Sequence, residues 1–146
     1  MKARSTIFCS AMVAMFAVAL GVLMIFMPQI GQWYSRYRVL SPVVSKSVVA
    51  AFYVCSVPAG VALYCLWRLL QNIRRGDVFI RENCQLLAVI SWCSLEDSLV
   101  CFAVCYHYMP MGFMAVSLLF MFLIVRVVCS CMIQGTDLKD ENSLTI

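Results

Sequence analysis

The sequence predicts an all-α integral membrane protein with four transmembrane helices in one compact bundle. Hydrophobic residues make up 64% of the 146-residue chain, charged residues only 12%, and the mean hydropathy is +0.92. Soluble domains rarely reach such values. Four apolar stretches each have about the 20 residues that a helix needs to cross a membrane; they are residues 7–27, 48–70, 86–106 and 111–133. We therefore expect one membrane domain over residues 1–146, ending in a polar tail over residues 134–146.

The start of the first span also has features of a secretory signal. Lys2 and Arg4 would form its basic region, and Ala17-Val18-Ala19 would be its small-residue cleavage site. The apolar run continues to Met27, which is long for a signal core and right for a span. We therefore interpret this segment as the first transmembrane helix.

The distribution of Lys and Arg predicts that both termini lie in the cytoplasm, because positively charged loops stay on that side. With the N-terminus inside, most basic residues fall on the cytoplasmic side, namely Lys2, Arg4, Arg74, Arg75, Arg81 and Lys139. The outer side receives Arg36, Arg38 and Lys46. An aromatic belt at the outer interface would agree with this orientation; its residues are Trp33, Tyr34, Tyr37, Tyr106 and Tyr108.

The connection between the second and third spans is a polar loop on the predicted cytoplasmic side. Gly76 can end the second helix in a left-handed conformation, and Asp77 can cap the next helix. We expect Phe79 to anchor the loop at the membrane interface. Three arginines would contact anionic lipid head groups; they are Arg74, Arg75 and Arg81.

Glu96 and Asp97 lie side by side near the middle of the third span, where an ionisable group is costly and usually functional. Asp97 falls on a polar face of small residues, whereas Glu96 points about 100° away. Arg126 in the fourth span is the natural counter-ion across the short turn that joins the two spans. We favour a structural ion pair that holds the bundle together, and a transport or proton-relay role is the alternative.

The nine cysteines have no informative spacing. Most lie inside spans, where a thiol behaves as a small apolar group. The chain has no Cys-x-x-Cys pair, so it lacks the dithiol that defines the four-span thiol oxidoreductases. His107 lies near Cys101 and Cys105 without zinc-binding spacing. We expect no metal site, no cofactor and no enzymatic activity, because no nucleophile, base and orienting group converge.

The polar tail after Ile133 is the last distinctive segment. Charged residues flank apolar ones in it, which suits a short strand added to a partner's sheet or a segment docked in a groove. The residues expected to bind a partner are Leu138, Lys139, Glu141, Asn142, Leu144 and Ile146. A disordered tail is the alternative.

Two segments of the chain carry a resemblance to a known family. One is the loop Arg75-Gly76-Asp77-Val78-Phe79 with Asn83, and the other is the tail Leu138-Lys139-Asp140-Glu141-Asn142-Ser143-Leu144-Thr145-Ile146. They resemble the bacterial family catalogued as domain of unknown function 2975, whose members are small four-span membrane proteins. Ser143 departs from the aspartate usual in that family. The resemblance implies a bacterial inner-membrane location. It also implies a partner, because genes of this family often lie beside a small Cro-like helix-turn-helix repressor.

The sequence therefore predicts a non-enzymatic regulator or anchor in the membrane. Its loop and tail would bind a cytoplasmic partner such as a Cro-like helix-turn-helix regulator, with no direct binding to nucleic acid. The alternative is a small proton-coupled transporter that uses the intramembrane carboxylates, working as a homo-oligomer. Four-span drug exporters carry their essential carboxylate in the first span, where this chain has none, which counts against the alternative.

Overall fold

The computed structural model describes the backbone of residues 2–38 and 42–145, and side chains at residues 7–33, 36 and 43–145. The side chains of Lys2, Arg4, Tyr34, Tyr37 and Arg38, on which the predicted orientation partly rests, lie outside these ranges. So does Ile146, the last of the predicted tail contacts.

Four α-helices account for nearly all of the described chain: α1 (Lys2–Arg38), α2 (Pro42–Arg75), α3 (Arg81–Cys105) and α4 (Pro110–Leu144). Each contains a stretch that is long and apolar enough to cross a membrane; the stretches are Ile7–Trp33, Val43–Arg75, Arg81–Cys105 and Pro110–Leu144. The prediction of an all-α chain with four potential transmembrane helices is confirmed.

The helices pack in chain order. Within the described residues, α1 contacts α2, α2 contacts α3 and α3 contacts α4, whereas α1 approaches neither α3 nor α4. The compact bundle and the orientation of the termini stay predictions. α3, which packs between α2 and α4, holds more buried residues than any other helix, while the apolar surfaces of α1 and α4 remain largely exposed. In a multi-pass membrane protein such surfaces face lipid.

Neighbouring helices run antiparallel, and we name the two ends of the array by their loops. The Gly76 end holds the α2–α3 loop (residues 76–80) and the C-terminal part of α4. The Met109 end holds the α3–α4 loop (residues 106–109). At the Gly76 end a small apolar core joins three helices through Leu69, Leu87 and Cys129.

α1 contains a proline that lies one residue beyond the predicted first span, residues 7–27. Pro28 lies inside α1, and a proline has no N–H to donate to the carbonyl four residues earlier, that of Met24. The Tyr53 hydroxyl of α2 donates to this carbonyl at 3.0 Å. Nearby, Gly31 lets Val49 approach closely, because a Cβ at Gly31 would lie 2.8 Å from the Val49 Cγ2. α1 therefore continues ten residues beyond Pro28, to Arg38.

Candidate functional site

Asp97 lies on α3 at the face that packs against α2. Its side chain is buried, with a residue exposure of 8%, and its Oδ1 has no hydrogen-bond partner within the described part of the chain. Buried polar groups in folded proteins are almost always paired, so a buried carboxylate oxygen without a partner is uncommon. This atom is the most distinctive polar feature among the potential transmembrane helices.

The nearest polar neighbours of Asp97 are thiols. Cys55 of α2 lies against both the Asp97 carboxyl group and the thiol of Cys101, which is one turn further along α3. The hydroxyls on the same stretch of α3 are engaged elsewhere: Ser98 donates to the Ala115 carbonyl of α4 at 2.8 Å, and Ser94 donates to the Ile90 carbonyl at 3.1 Å. Cys93, one turn before Asp97 on α3, also lies close to the carboxyl group, so the site consists of one carboxyl and three thiols between α2 and α3.

The predicted ion pair between Arg126 and the acidic pair is not among the contacts of the described residues. Arg126 is exposed on α4, whereas Asp97 faces α2, so α3 presents the carboxyl group to the wrong neighbour. Glu96 is exposed on α3. The salt bridge that the described residues do contain joins Arg68 Nε and Glu82 Oε1 at 2.7 Å, near the Gly76 end.

The α2–α3 loop is ordered by backbone and side-chain hydrogen bonds. Gly76 has a φ of 92°, and its N–H donates to the Ile73 carbonyl while the Asp77 N–H donates to the Asn72 carbonyl. These two bonds form a Schellman motif, which ends α2 as the glycine predicts. Arg74 and Arg75 next to it are exposed, and so is Arg81.

Asn83 ties the loop to both flanking helices. It is fully buried, its Nδ2 donates to the Asp77 and Val78 carbonyls at 2.8 and 2.9 Å, and its Oδ1 accepts from Asn72 Nδ2 at 2.8 Å. The resemblance included Asn83 without giving it a role. Its place among polar loop residues, three residues before the start of the predicted third span at residue 86, was the signal that could have suggested its hydrogen bonds to the loop.

Phe79 of the loop packs against α4. A Cβ at Gly135 would lie 2.7 Å from the Phe79 Cε1, so the ring occupies the space that this glycine leaves open. Phe79 is still 45% exposed. The ring therefore has a protein partner that the predicted lipid anchor lacked.

The tail is helical as far as Leu144, so the alternative of a disordered tail is not what the structure shows, and docking on a partner stays a prediction. α4 continues to Leu144, and its last buried residue is Thr136, whose Oγ1 lies 3.9 Å from the Cys84 thiol of α3. All residues from 137 to 145 are exposed, including Lys139, Glu141 and Asn142; the exposed fractions are 63% at Leu138 and 86% at Leu144. The helix persists because its polar residues here include good helix formers and neither Gly nor Pro follows Gly135.

The contact between Cys55 and Cys101 was missed from the sequence. The two residues are equidistant in sequence from Val78, so an antiparallel α2–α3 hairpin that turns at Val78 places them opposite each other. That symmetry was the available signal. Among the described residues, no group of three or more His, Cys, Asp or Glu side chains has the arrangement of a metal site.

Comparison with known proteins supports the resemblance carried by the loop and the tail. No curated protein and no solved structure matches the chain. One family model does match, described as a protein of unknown function (DUF2975), and it covers residues 22–146. Gly76, Phe79, Asn83 and Asp97 all lie within the matched range. The chain belongs to the DUF2975 family.

Proposed function

We propose that this protein is a non-enzymatic regulator or anchor in the bacterial inner membrane. It binds a cytoplasmic partner, such as a Cro-like helix-turn-helix regulator, through the tail of α4 and the α2–α3 loop. The observation that carries the proposal is the exposed helix that follows Thr136, in which every described side chain is accessible. Eight helical residues, 137–144, extend this surface by about 12 Å.

The tail and the loop form one continuous region at the Gly76 end. Contacts between Phe79 and Gly135, and between Cys84 and Thr136, hold the loop and the base of the tail together. Both termini lie in the cytoplasm in this proposal, since the basic residues at this end would contact anionic lipid head groups. A partner bound to the tail helix would therefore be held beside the membrane surface.

Affinity purification from native membranes tests the proposal. The tagged wild-type protein is compared with a variant that lacks residues 138–146, and bound proteins are identified by mass spectrometry. We expect a small helix-turn-helix protein to bind the wild type and to be lost from the truncated form. A control variant, Arg74→Gln with Arg75→Gln, keeps the tail and removes the positive charge at the end of α2. It shows whether binding of the partner depends on the tail or on the charge beside the loop. An identical set of partners for wild type and truncated protein would contradict the proposal.

A proton-coupled transporter is the second candidate, and the buried Asp97 favours it. A carboxyl group with an unpartnered oxygen inside a potential transmembrane helix is a typical proton carrier. In proteoliposomes with an imposed pH gradient, Asp97→Asn would abolish proton flux, whereas Glu96→Gln, the matched change at the exposed neighbour, would leave it unchanged. Equal flux in the two variants would exclude this candidate.

A further inference from the structure

The part of the chain that forms α1 and α2 carries basic residues and no acidic ones. Residues 1–75 contain eight of the eleven Lys and Arg residues, whereas all seven Asp and Glu residues lie further along the chain. Near the end of α2, Arg68 is paired with Glu82 of α3 at 2.7 Å. Arg74 and Arg75 are exposed and form no salt bridge with any described residue. These two unpaired positive charges favour an anionic partner.

An apolar groove of about 460 Å³ lies between α1 and α2. Ala14 and Ala17 line it on α1, and Gly60, Tyr64 and Trp67 line it on α2. The groove is open beside Gly60, because no atom of a neighbouring residue lies within 4 Å of a Cβ at that position. Its volume is within the range of about 300–1,000 Å³ that is typical of ligand sites. Since both helices are long and apolar enough to cross a membrane, lipid chains have direct access to the groove.

The face of α2 that lines the groove leads to the two arginines. Steps of three and four residues connect Trp67 through Gln71 to both Arg74 and Arg75, so these residues share one side of the helix. Arg74 lies about 10 Å beyond Trp67 along the helix axis. The Cα–Cβ bonds of a helix tilt toward its N-terminus, so both arginine side chains start in the direction of the groove. Tyr64 and Trp67 are residue types that prefer the level of the lipid head groups. An occupant whose apolar part lies in the groove therefore has its polar part near the arginines.

We propose that the groove binds one acyl chain of an anionic phospholipid, such as phosphatidylglycerol, whose phosphate contacts Arg74 and Arg75. Basic residues beside transmembrane helices bind anionic head groups, and the groove adds a place for the chain next to them. A second copy of the protein fits less well, because a symmetric dimer pairs identical surfaces and would bring these arginines together. The site is independent of the tail, of its partner and of Asp97.

Native mass spectrometry of the wild-type protein in a non-ionic detergent tests the proposal. The protein is titrated with phosphatidylglycerol, with phosphatidylcholine of the same acyl chains, and with glycerol 3-phosphate, which has the anionic group without a chain. We expect one phosphatidylglycerol per chain, bound about 30-fold more tightly than phosphatidylcholine, because each arginine near an anionic lipid contributes about a fivefold factor. Equal affinity for the two lipids, or binding of glycerol 3-phosphate as tight as that of phosphatidylglycerol, would overturn the proposal. So would a dimer that forms in place of the lipid complex.

Charge variants test the head-group contact. Arg74→Gln with Arg75→Gln should lower the affinity for phosphatidylglycerol by about 30-fold and leave that for phosphatidylcholine unchanged. The matched control is Arg81→Gln with Lys139→Gln, which removes two exposed charges from α3 and α4 at the same end of the molecule. The control should keep the preference for phosphatidylglycerol. Equal losses in the two double variants would show that the net charge acts from a distance, and the proposed contact would fail.

A filled groove tests the place of the chain. Gly60→Phe puts a ring into the open space beside Gly60 and should weaken both lipids by about tenfold, since the dispersion contacts of a chain segment together contribute that order. Val61→Phe is the control, because Val61 is exposed on α2 and does not line the groove. Unchanged binding in Gly60→Phe would place the lipid elsewhere and overturn the proposal. Helical content and size-exclusion profiles identify a variant that fails to fold, and in that case the wild-type titration decides.

Discussion

Asn83 and Asp97 are two buried polar residues on the same helix, and their surroundings are opposite in kind. The side-chain hydrogen bonds of Asn83 join it to α2 and to the loop, at distances of 2.8 to 2.9 Å. Asp97 keeps an oxygen without a partner in the described structure and lies against thiols, which are weak donors. A satisfied buried amide stabilises a fold, whereas an unsatisfied buried carboxyl costs free energy.

The difference separates an end of the molecule where buried polar groups are paired from a middle where the buried Asp97 Oδ1 has no partner among the described residues. At the Gly76 end, the Schellman motif and Asn83 tie the α2–α3 loop to its flanking helices, and the contact between Phe79 and Gly135 joins that loop to α4. Within the described part of the chain, no comparable set of hydrogen bonds fixes the Asp97 carboxyl group. Proteins tend to break the rule of satisfied polar groups where function requires it, which is why we assign chemistry to Asp97 and architecture to Asn83.

The strongest test of the comparison is Asn83→Ala. It removes three hydrogen bonds and leaves two loop carbonyls and the Asn72 amide unpaired, so we expect a loss of about 3–5 kcal/mol. Thermal unfolding in detergent, followed by intrinsic fluorescence, would show a lower melting temperature. Asn142→Ala in the exposed tail is the matched control and should have almost no effect. Equal melting temperatures for the two variants would remove Asn83 from the structural role.

Gly135→Ala is expected to have the next largest effect. The new methyl group would lie 2.7 Å from the Phe79 ring, so the ring must move and the loop loses its contact with α4. We expect a loss of about 2 kcal/mol in the same unfolding assay, which is typical of overpacking.

Gly60→Ala provides the matched control for Gly135→Ala. No atom of a neighbouring residue lies within 4 Å of a Cβ at Gly60. Alanine there should stabilise α2 by about 1 kcal/mol, because glycine is a poor helix former. Phe79→Leu combined with Gly135→Ala should recover part of the loss, since the two residues are in contact. Destabilisation of similar size at both glycines would show that the Phe79 contact is not the cause.

Asp97→Asn should change stability in the opposite direction to Asn83→Ala. The amide removes a buried ionisable group, so we expect a gain of about 1 kcal/mol, as is common when a functional site is neutralised. The melting temperature should rise more in Asp97→Asn than in Glu96→Gln, because Asp97 is buried between helices whereas Glu96 is exposed. A clear loss of stability in Asp97→Asn would mean that the carboxyl group is structural, and the contrast with Asn83 would fail.

The sequence was informative where one physical signal dominates. Hydropathy located all four helices, because a potential transmembrane helix needs little besides length and apolar side chains. Gly76 marked the end of α2, because only glycine adopts its left-handed backbone at low cost. Signals of this kind depend on a few residues that are adjacent in sequence, so they can be interpreted without knowing which helices pack together.

Contacts between helices were harder to infer. Arg126 was paired with the acidic residues by counting along the α3–α4 hairpin, which gives depth along the helix and leaves the rotation of each helix open. Burial settled that rotation: Asp97 faces α2 and Arg126 remains exposed. The tail was assigned from its charge pattern, which does not reveal that α4 continues through it to Leu144. Both differences arise because position along the chain does not show which surfaces of the helices pack together.

Tyr53→Phe should change the free energy of unfolding least. It tests whether a hydrogen bond to an otherwise unpaired polar group stabilises the protein outside α3. The Tyr53 hydroxyl donates to the Met24 carbonyl that Pro28 leaves free, so its removal exposes that carbonyl to an apolar environment. Hydrogen bonds between transmembrane helices contribute about 0.6 kcal/mol on average, and we expect a loss of that order. Tyr106→Phe is the control, because Tyr106 is almost fully exposed at the Met109 end. If Tyr53→Phe matched this control, close packing at Gly31 would hold α1 to α2, and the Tyr53 hydroxyl would contribute nothing. Hydrogen bonding of buried polar groups would then stabilise the protein only at the Gly76 end.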